Sequence, residues 1–236
     1  MRVILLDNRD SFVYNLVDQL AMLGVTTEVY RNTAPARAAL AALEPTAQEA
    51  AAGQRPALIL SPGPGHPRQA GCMMEVLGAA LEQGLPTLGI CLGFQAIVEA
   101  YGGSVGRVEP VHGRSTRVEV TDAGRADAAF AVLDGGPLDV ARYHSLGARD
   151  LPEELVCLAR TSAAAEADDA GTSSTASAAG PAATSGIVMA ARHRRRPAVG
   201  LQFHPESILT PAGPAILRAL IAGLTTTTAT PTGESR

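Results

Sequence analysis

Three stretches of the chain set residue types at spacings that could do chemistry. The first, Leu88-Gly89-Ile90-Cys91-Leu92-Gly93-Phe94-Gln95, is an apolar run that ends in glycine–x–cysteine–x–glycine and opens into a helical pattern, Ala96 to Ala100. It is the thiol counterpart of the strand-to-helix elbow that displays a nucleophile. Glycines on both sides suit such an elbow, because a sharp turn in a strained backbone leaves no room for neighbouring side chains. A helix starting beside Cys91 would favour the thiolate through its dipole and free amide groups. Taken alone, the pattern fits a buried cysteine at a tight turn equally well, since single-cysteine motifs do not transfer between families.

The second stretch shifts that balance. Val199 to Phe203 is a near-continuous apolar strand that ends abruptly in His204-Pro205-Glu206-Ser207. A histidine and a glutamate two residues apart on an extended segment point to the same side, so Glu206 can orient the His204 ring and stabilise its charged form. Cys91, His204 and Glu206 then make a nucleophile, a base and an orienting carboxylate. The third stretch, Ile59-Leu60-Ser61-Pro62-Gly63-Pro64-Gly65, leaves a strand with alternating proline and glycine. Its backbone N–H groups could face a developing oxyanion, although most Pro-Gly loops are plain turns.

These stretches need a scaffold, and the rest of the sequence describes one. Short apolar runs at Val3 to Leu6, Val25 to Tyr30, Ala57 to Leu60 and Thr87 to Ile90 alternate with helical patterns. Those patterns lie at Phe12, Leu16, Leu20 and Leu23, capped by Asp10 or Ser11, then at Ala36 to Leu43 and at Cys72 to Leu81. Such alternation predicts an α/β fold, an open and mostly parallel Rossmann-like sheet flanked by helices. After Gly103, Val105, Val108, Val118 and Val120 fall in short alternating runs that read as antiparallel edge strands. Leu155 to Leu158 and Ile187 to Ala190 form a strand pair, and Pro211 to Leu224 a closing helix with Pro211 in its first turn. All three chemical stretches fall at the C-terminal ends of strands, where open α/β sheets hold their ligands.

The bulk of the chain narrows the functional classes. Its 236 residues suit one domain, taken as 1–224. Within it, 162–186 contains nothing aliphatic larger than alanine and is expected to be a disordered hairpin tip; beyond it, the tail 225–236 is expected to be disordered too. A net charge of -4 gives no reason to expect nucleic acid or anionic lipid as a partner. No run approaches the roughly 18 apolar residues of a membrane span, and the start lacks the zones of a signal peptide, so a cytoplasmic protein is expected. The basic run Arg192 to Arg196 reads as a solvated turn, and Cys72 and Cys157 as small buried hydrophobes. The five histidines show no metal-ligand spacing, so no metal is expected in this chain.

In this order and spacing, SPGPG (61–65), GICLGFQ (89–95), RYHSL (142–146) and QFHPES (202–207) resemble the class I glutamine amidotransferases. LLDNRDSFVYNL (5–16), AGCMMEVL (70–77), QAIVEAYGGSVG (95–106) and ESILT (206–210) extend the likeness over nearly the whole chain. Within that family the chain is similar to the glutaminase subunits of anthranilate synthase and, closely related, of aminodeoxychorismate synthase.

The resemblance implies Cys91 as nucleophile, His204 as general base and acid, and Glu206 as its partner. It implies that Gly63, Pro64 and Gly65 line the site of L-glutamine, with N–H groups from that loop and from Leu92 forming the oxyanion hole. Gln95 and the Ser145-Leu146 backbone would hold the amino-acid end of glutamine. The implied partner is a chorismate-using synthase, anthranilate synthase component I in tryptophan biosynthesis, which would bind its own magnesium; no cofactor is implied for this chain. Phe94, Val13 and Arg114 depart from the usual histidine, threonine and lysine, and Phe94 and Arg114 would bear on contact with the partner. A cysteine peptidase or esterase and a binding subunit with a dead site remain as other readings of the same triad; the first leaves SPGPG and RYHSL unexplained.

Overall fold

The computed structural model describes residues 1–111, 113–136, 138–162 and 186–226. The insertion expected to be disordered lies, for 163–185, outside the described residues, and so does the tail from 227. Strands β1 (Arg2–Asp7), β3 (Ala57–Leu60), β4 (Thr87–Ile90) and β11 (Ala198–Leu201) are buried along nearly their whole lengths. Their unbroken apolar character follows from burial on both faces. Val3, Leu5, Ile59, Leu88 and Ile90 pack into one core, and Ile4, Leu6, Leu58 and Leu60 into the core on the other face. With the edge strand β2 (Thr26–Arg31) they form the parallel half of the sheet, in the order β2-β1-β3-β4-β11.

Beyond β11 the sheet turns antiparallel through β10 (Val188–His193), β9 (Leu155–Thr161), β6 (Arg114–Val120) and β7 (Leu138–Arg142). A separate two-stranded ladder joins β5 (Gly106–Arg107) to β8 (Leu146–Gly147). The mostly parallel Rossmann-like sheet with antiparallel strands at one edge is the predicted architecture; β7 is an addition to it, because its five residues carry no clean alternation. Helices α1 (Val13–Met22) and α8 (Gly213–Thr226) contribute Leu16, Leu20, Leu217 and Leu220 to the first core. Helices α2 (Ala36–Leu43), α4 (Met73–Glu82) and α5 (Leu92–Ala100) pack on the other face. Three short helices, α3 (Ala47–Ala51), α6 (Asp122–Arg125) and α7 (Ala128–Ala131), and a 3-10 turn at Pro67–Gln69 complete the described set.

Local expectations are corrected at several places. Neither Asp10 nor Ser11 caps α1: Phe12 occupies that position without a side-chain bond, and the Asp10 carboxylate accepts the Phe12 N–H at 2.7 Å, closing a turn one step earlier. Pro211 precedes α8, and Pro214 takes the first turn instead, where its missing N–H costs nothing. The last helix runs on to Thr226, two residues into the segment expected to be tail. Cys72 and Cys157 are half-buried, not fully enclosed. The basic run does turn between β10 and β11, but three of its four arginines are used within the chain: Arg192 on Asp127, Arg194 on the Glu153 carbonyl and Arg196 on the Leu81 carbonyl.

Candidate active site

Cys91 is the residue between β4 and α5, with φ 51° and ψ -99°. A non-glycine residue at positive φ is strained by about 1–3 kcal/mol and persists only where its surroundings hold it. Such support is present: the Cys91 N–H donates to the Leu201 carbonyl at 2.7 Å, and the Gln95 N–H returns to the Cys91 carbonyl at 3.1 Å. The flanking glycines are demanded by contact. A Cβ on Gly89 would sit 2.3 Å from the Gly93 oxygen, and one on Gly93 would sit 2.5 Å from the Leu60 oxygen. The predicted elbow is present, and the first-turn amides of α5 have no intrahelical acceptor beside the sulfur.

His204 and Glu206 are brought to it from β11, the neighbour of β4. The His204 Nδ1 and Glu206 Oε1 lie 2.7 Å apart, both groups buried. The route differs from the one expected. β11 ends at Leu201, so the pair is not on an extended strand; the chain turns at Pro205, closed by the Ser207 N–H on the His204 carbonyl at 3.3 Å. Thr210 anchors that turn, its hydroxyl donating to the His204 carbonyl at 2.7 Å and accepting the Ala141 N–H of β7 at 3.0 Å. Gly213 lets α8 abut it, since a Cβ there would fall 1.9 Å from the Pro205 oxygen.

Burial opposes charging the His204 ring, but the Cys91 sulfur and the Glu206 carboxylate outweigh it and raise its proton affinity well above the ordinary histidine range. Its Nε2 is buried and makes no hydrogen bond among the described residues, so the Cys91 thiol and the ring are neighbours without a bond between them. Phe12 and Tyr143 stand edge-on to the ring, with centroids at 6.3 and 5.0 Å. They restrict the imidazole to one plane. Sequence reasoning assigns neither to the site: Phe12 reads as a helix-face residue, and Tyr143 as one letter of the RYHSL motif.

The Ser61–Gly65 loop is braced from the end of β1. Asn8 donates its backbone N–H to the Ser61 hydroxyl and its side-chain amide to the Ser61 carbonyl, both at 2.8 Å. A Cβ on Gly63 would come within 2.6 Å of Asn8 and 3.0 Å of the Leu92 side chain. The loop therefore lies directly on the start of α5. Pro64 has no N–H, so of the three loop residues only Gly63 and Gly65 can donate to an oxyanion. Gly65, Ser145 and Leu146 line one cavity of about 360 Å³, together with His66, Gln69 and Arg107. A larger depression of about 720 Å³ over β6, around Arg117 and Arg160, contains none of these candidates. Residue chemistry, not volume, picks out the site.

Gln95 Nε2 donates to the Leu146 carbonyl at 2.9 Å and to Gln202 Oε1 at 3.2 Å, while its own Oε1 is buried without a partner. His144 also reaches the Leu146 carbonyl, Nδ1 to O at 2.8 Å, and its Nε2 faces the fully buried Arg142 at 3.4 Å. Burial and the Arg142 charge push the His144 ring down to about 3, so it is neutral at physiological pH, a donor at Nδ1 and an acceptor at Nε2. Among the departures from the family wording, Phe94 is fully buried and its ring lies where a Cβ on Gly200 would be 2.6 Å away. It is a packing residue between α5 and β11 and offers no surface to a partner. Val13 is buried at the start of α1, and Arg114 is exposed at the start of β6.

Among the described residues, no cluster of histidine, cysteine or carboxylate groups could hold a metal ion, and no helix is long and apolar enough to cross a membrane. The family described as glutamine amidotransferase class-I matches residues 4–223. An anthranilate synthase component 2 from Corynebacterium glutamicum is 41% identical over 234 residues, covering 94% of this chain and 97% of its own length. A pyocyanine-specific anthranilate synthase component 2 from Pseudomonas aeruginosa is 43% identical over 219 residues, covering 92% and 91%. Of the solved structures, a putative GMP synthase subunit from Thermoplasma acidophilum superposes with a TM-score of 0.68 at 22% identity, over 96% of this chain and 95% of that one. A glutamine amidotransferase from Thermotoga maritima superposes with a TM-score of 0.64 at 16% identity, over 95% and 98%. Both share the fold. With the family pattern matched over residues 4–223, and relatives more than 40% identical over nine-tenths of the chain, the chain belongs to the class I glutamine amidotransferases.

Proposed function

We propose that this chain is the glutamine-hydrolysing subunit of an anthranilate synthase, releasing ammonia for a chorismate-using partner. The observation that carries the chemistry is the buried His204 ring, held by Glu206 on Nδ1 at 2.7 Å, just beyond the strand next to the one that leads to Cys91. His204 takes the thiol proton, and the sulfur attacks the side-chain amide carbon of glutamine. The oxyanion is met by the N–H groups of Leu92 and of Gly63 or Gly65, each worth about 3 kcal/mol. His204 returns its proton to the departing nitrogen, and ammonia leaves. Water deprotonated by His204 then cleaves the γ-glutamyl thioester, giving glutamate and the free thiol. Gln95, through its buried Oε1, and the Ser145-Leu146 backbone, which lines the cavity beside Gly65, hold the amino-acid end of the substrate.

The choice of partner rests on the relatives, which are named as anthranilate synthase components. Free ammonia is largely protonated in neutral water, so its release is coupled to a protected acceptor site, which this reading puts on the synthase partner. Replacement Cys91→Ser should abolish glutamine-dependent product formation by the complex while product still forms from added ammonia; loss of both activities would rule out Cys91 as a nucleophile serving glutamine alone. Assaying the chain with anthranilate and with aminodeoxychorismate synthase partners identifies the aromatic product. A cytoplasmic location follows from this biosynthetic role.

A further inference from the structure

Gln202 stands one residue beyond β11, is fully buried, and is used at both ends of its side chain. Its Oε1 accepts from Gln95 Nε2 at 3.2 Å, and its Nε2 donates to the Cys91 sulfur at 3.6 Å. Its backbone N–H is fixed on the Met189 carbonyl at 2.9 Å. An uncharged amide buried beside a nucleophile is costly unless its groups are paired. In this site the pairing runs in one direction: Gln95 donates to Gln202, and Gln202 donates to sulfur. At the far end of that chain, Gln95 Oε1 is a buried acceptor with no partner among the described residues.

We infer that Gln202 is a positioning residue of the glutaminase site, which orients the Cys91 sulfur and links it through Gln95 to the ammonium end of bound substrate. This rests on the function proposed above. An amide N–H directed at sulfur favours its charged form and fixes the side-chain rotamer from which it attacks. When an ammonium group donates to Gln95 Oε1, the Gln95 amide is polarised, its N–H bond to Gln202 strengthens, and so does the bond from Gln202 to sulfur. Occupancy of the amino-acid subsite is thereby conveyed to the nucleophile across two side chains, without movement of the backbone. A ligand that carries an amide but no α-ammonium lacks this aid.

The full-length chain, alone and with its synthase partner, is compared with Gln202→Met, which keeps length and volume, and with Gln202→Glu, which keeps the acceptor for Gln95 but loses the donor to sulfur. Alkylation of Cys91 by iodoacetamide, read by mass spectrometry with Cys91→Ser as the blank, needs no glutamine and reports the sulfur directly. Both variants should alkylate about tenfold more slowly, the effect of one lost buried hydrogen bond. In glutamine hydrolysis Gln202→Glu should lower kcat with KM within about threefold of the parent, whereas Gln202→Met should lower kcat and raise KM. A parental alkylation rate in a Gln202→Met chain that melts normally overturns the inference; if that variant does not fold, a parental rate in Gln202→Glu does so. Absence of glutamine hydrolysis by the unmodified complex would instead count against the proposed function, and would leave the alkylation comparison standing.

Discussion

Replacing Gly93 by alanine places a methyl group between helix α5, which starts beside the proposed nucleophile Cys91, and strand β3. An ideal Cβ there lies 2.5 Å from the Leu60 oxygen and 2.6 Å from the Leu60 Cβ. Leu60 cannot yield, because it is paired with Leu6 on one side and Gly89 on the other. Relief must come from α5, whose start has to retreat by about 0.9 Å to regain ordinary contact, and Cys91 is the residue that begins it. Overpacking of this kind costs about 1–3 kcal/mol, or a fall in Tm of roughly 2–12 °C for a chain of this size. A displacement near 1 Å at the reacting atom costs on the order of 100-fold in kcat. The matched control is Gly78→Ala on α4, where an added Cβ meets nothing within 4 Å and helix propensity should raise stability by up to about 1 kcal/mol. Thermal melts and steady-state glutaminase assays of both variants, in complex with the synthase partner, check the outcome. Parental Tm and turnover in Gly93→Ala would refute the claim that glycine is required at this position by close approach.

Glu206→Gln keeps an oxygen for His204 Nδ1 but removes the charge that helps raise the ring's proton affinity; turnover should fall by about 100-fold or more, and titration of His204 followed by NMR should move to lower pH. Turnover within twofold of the parent would remove the carboxylate from the mechanism. At the base of the sheet, Arg2 holds Glu49 through a hydrogen-bonded pair, which pulls the Glu49 carboxyl from 4.5 down to about 2. A depressed carboxylate stabilises fully above its unfolded value and loses that contribution as pH falls through the folded one. The window is therefore from about 4.5 down to about 2, with at least about 1 kcal/mol at stake for a pair whose side chains are 13% and 14% exposed. Urea unfolding of Glu49→Gln across that range should converge on the parent at its acid end; a constant difference would show that the ion pair is not the cause.

Much of the molecule is legible in short stretches of sequence. The buried parallel strands can be read because a strand covered on both faces is apolar at every position, as in Val3 to Leu6 and Ala57 to Leu60. The elbow can be read because its requirements are local: glycine on both sides of Cys91, an apolar run before it and a helical pattern after it. The pairing of His204 with Glu206 follows from sequence for the wrong geometric reason, strand alternation in place of a turn at Pro205, since the end of β11 is set by partners that lie elsewhere in the chain. Phe12 and Tyr143 against His204, Thr210 on its carbonyl and Gly213 against Pro205 carry no signature in their own neighbourhoods. Gln202 is the clearest case, a glutamine within the QFHPES motif whose role appears only when Gln95 and Cys91 come to lie beside it. Periodicity and glycine spacing report what one segment does to its own backbone. Which segments become neighbours depends on the order of strands, and it is β11 lying next to β4 that brings residues more than a hundred positions apart to the same sulfur.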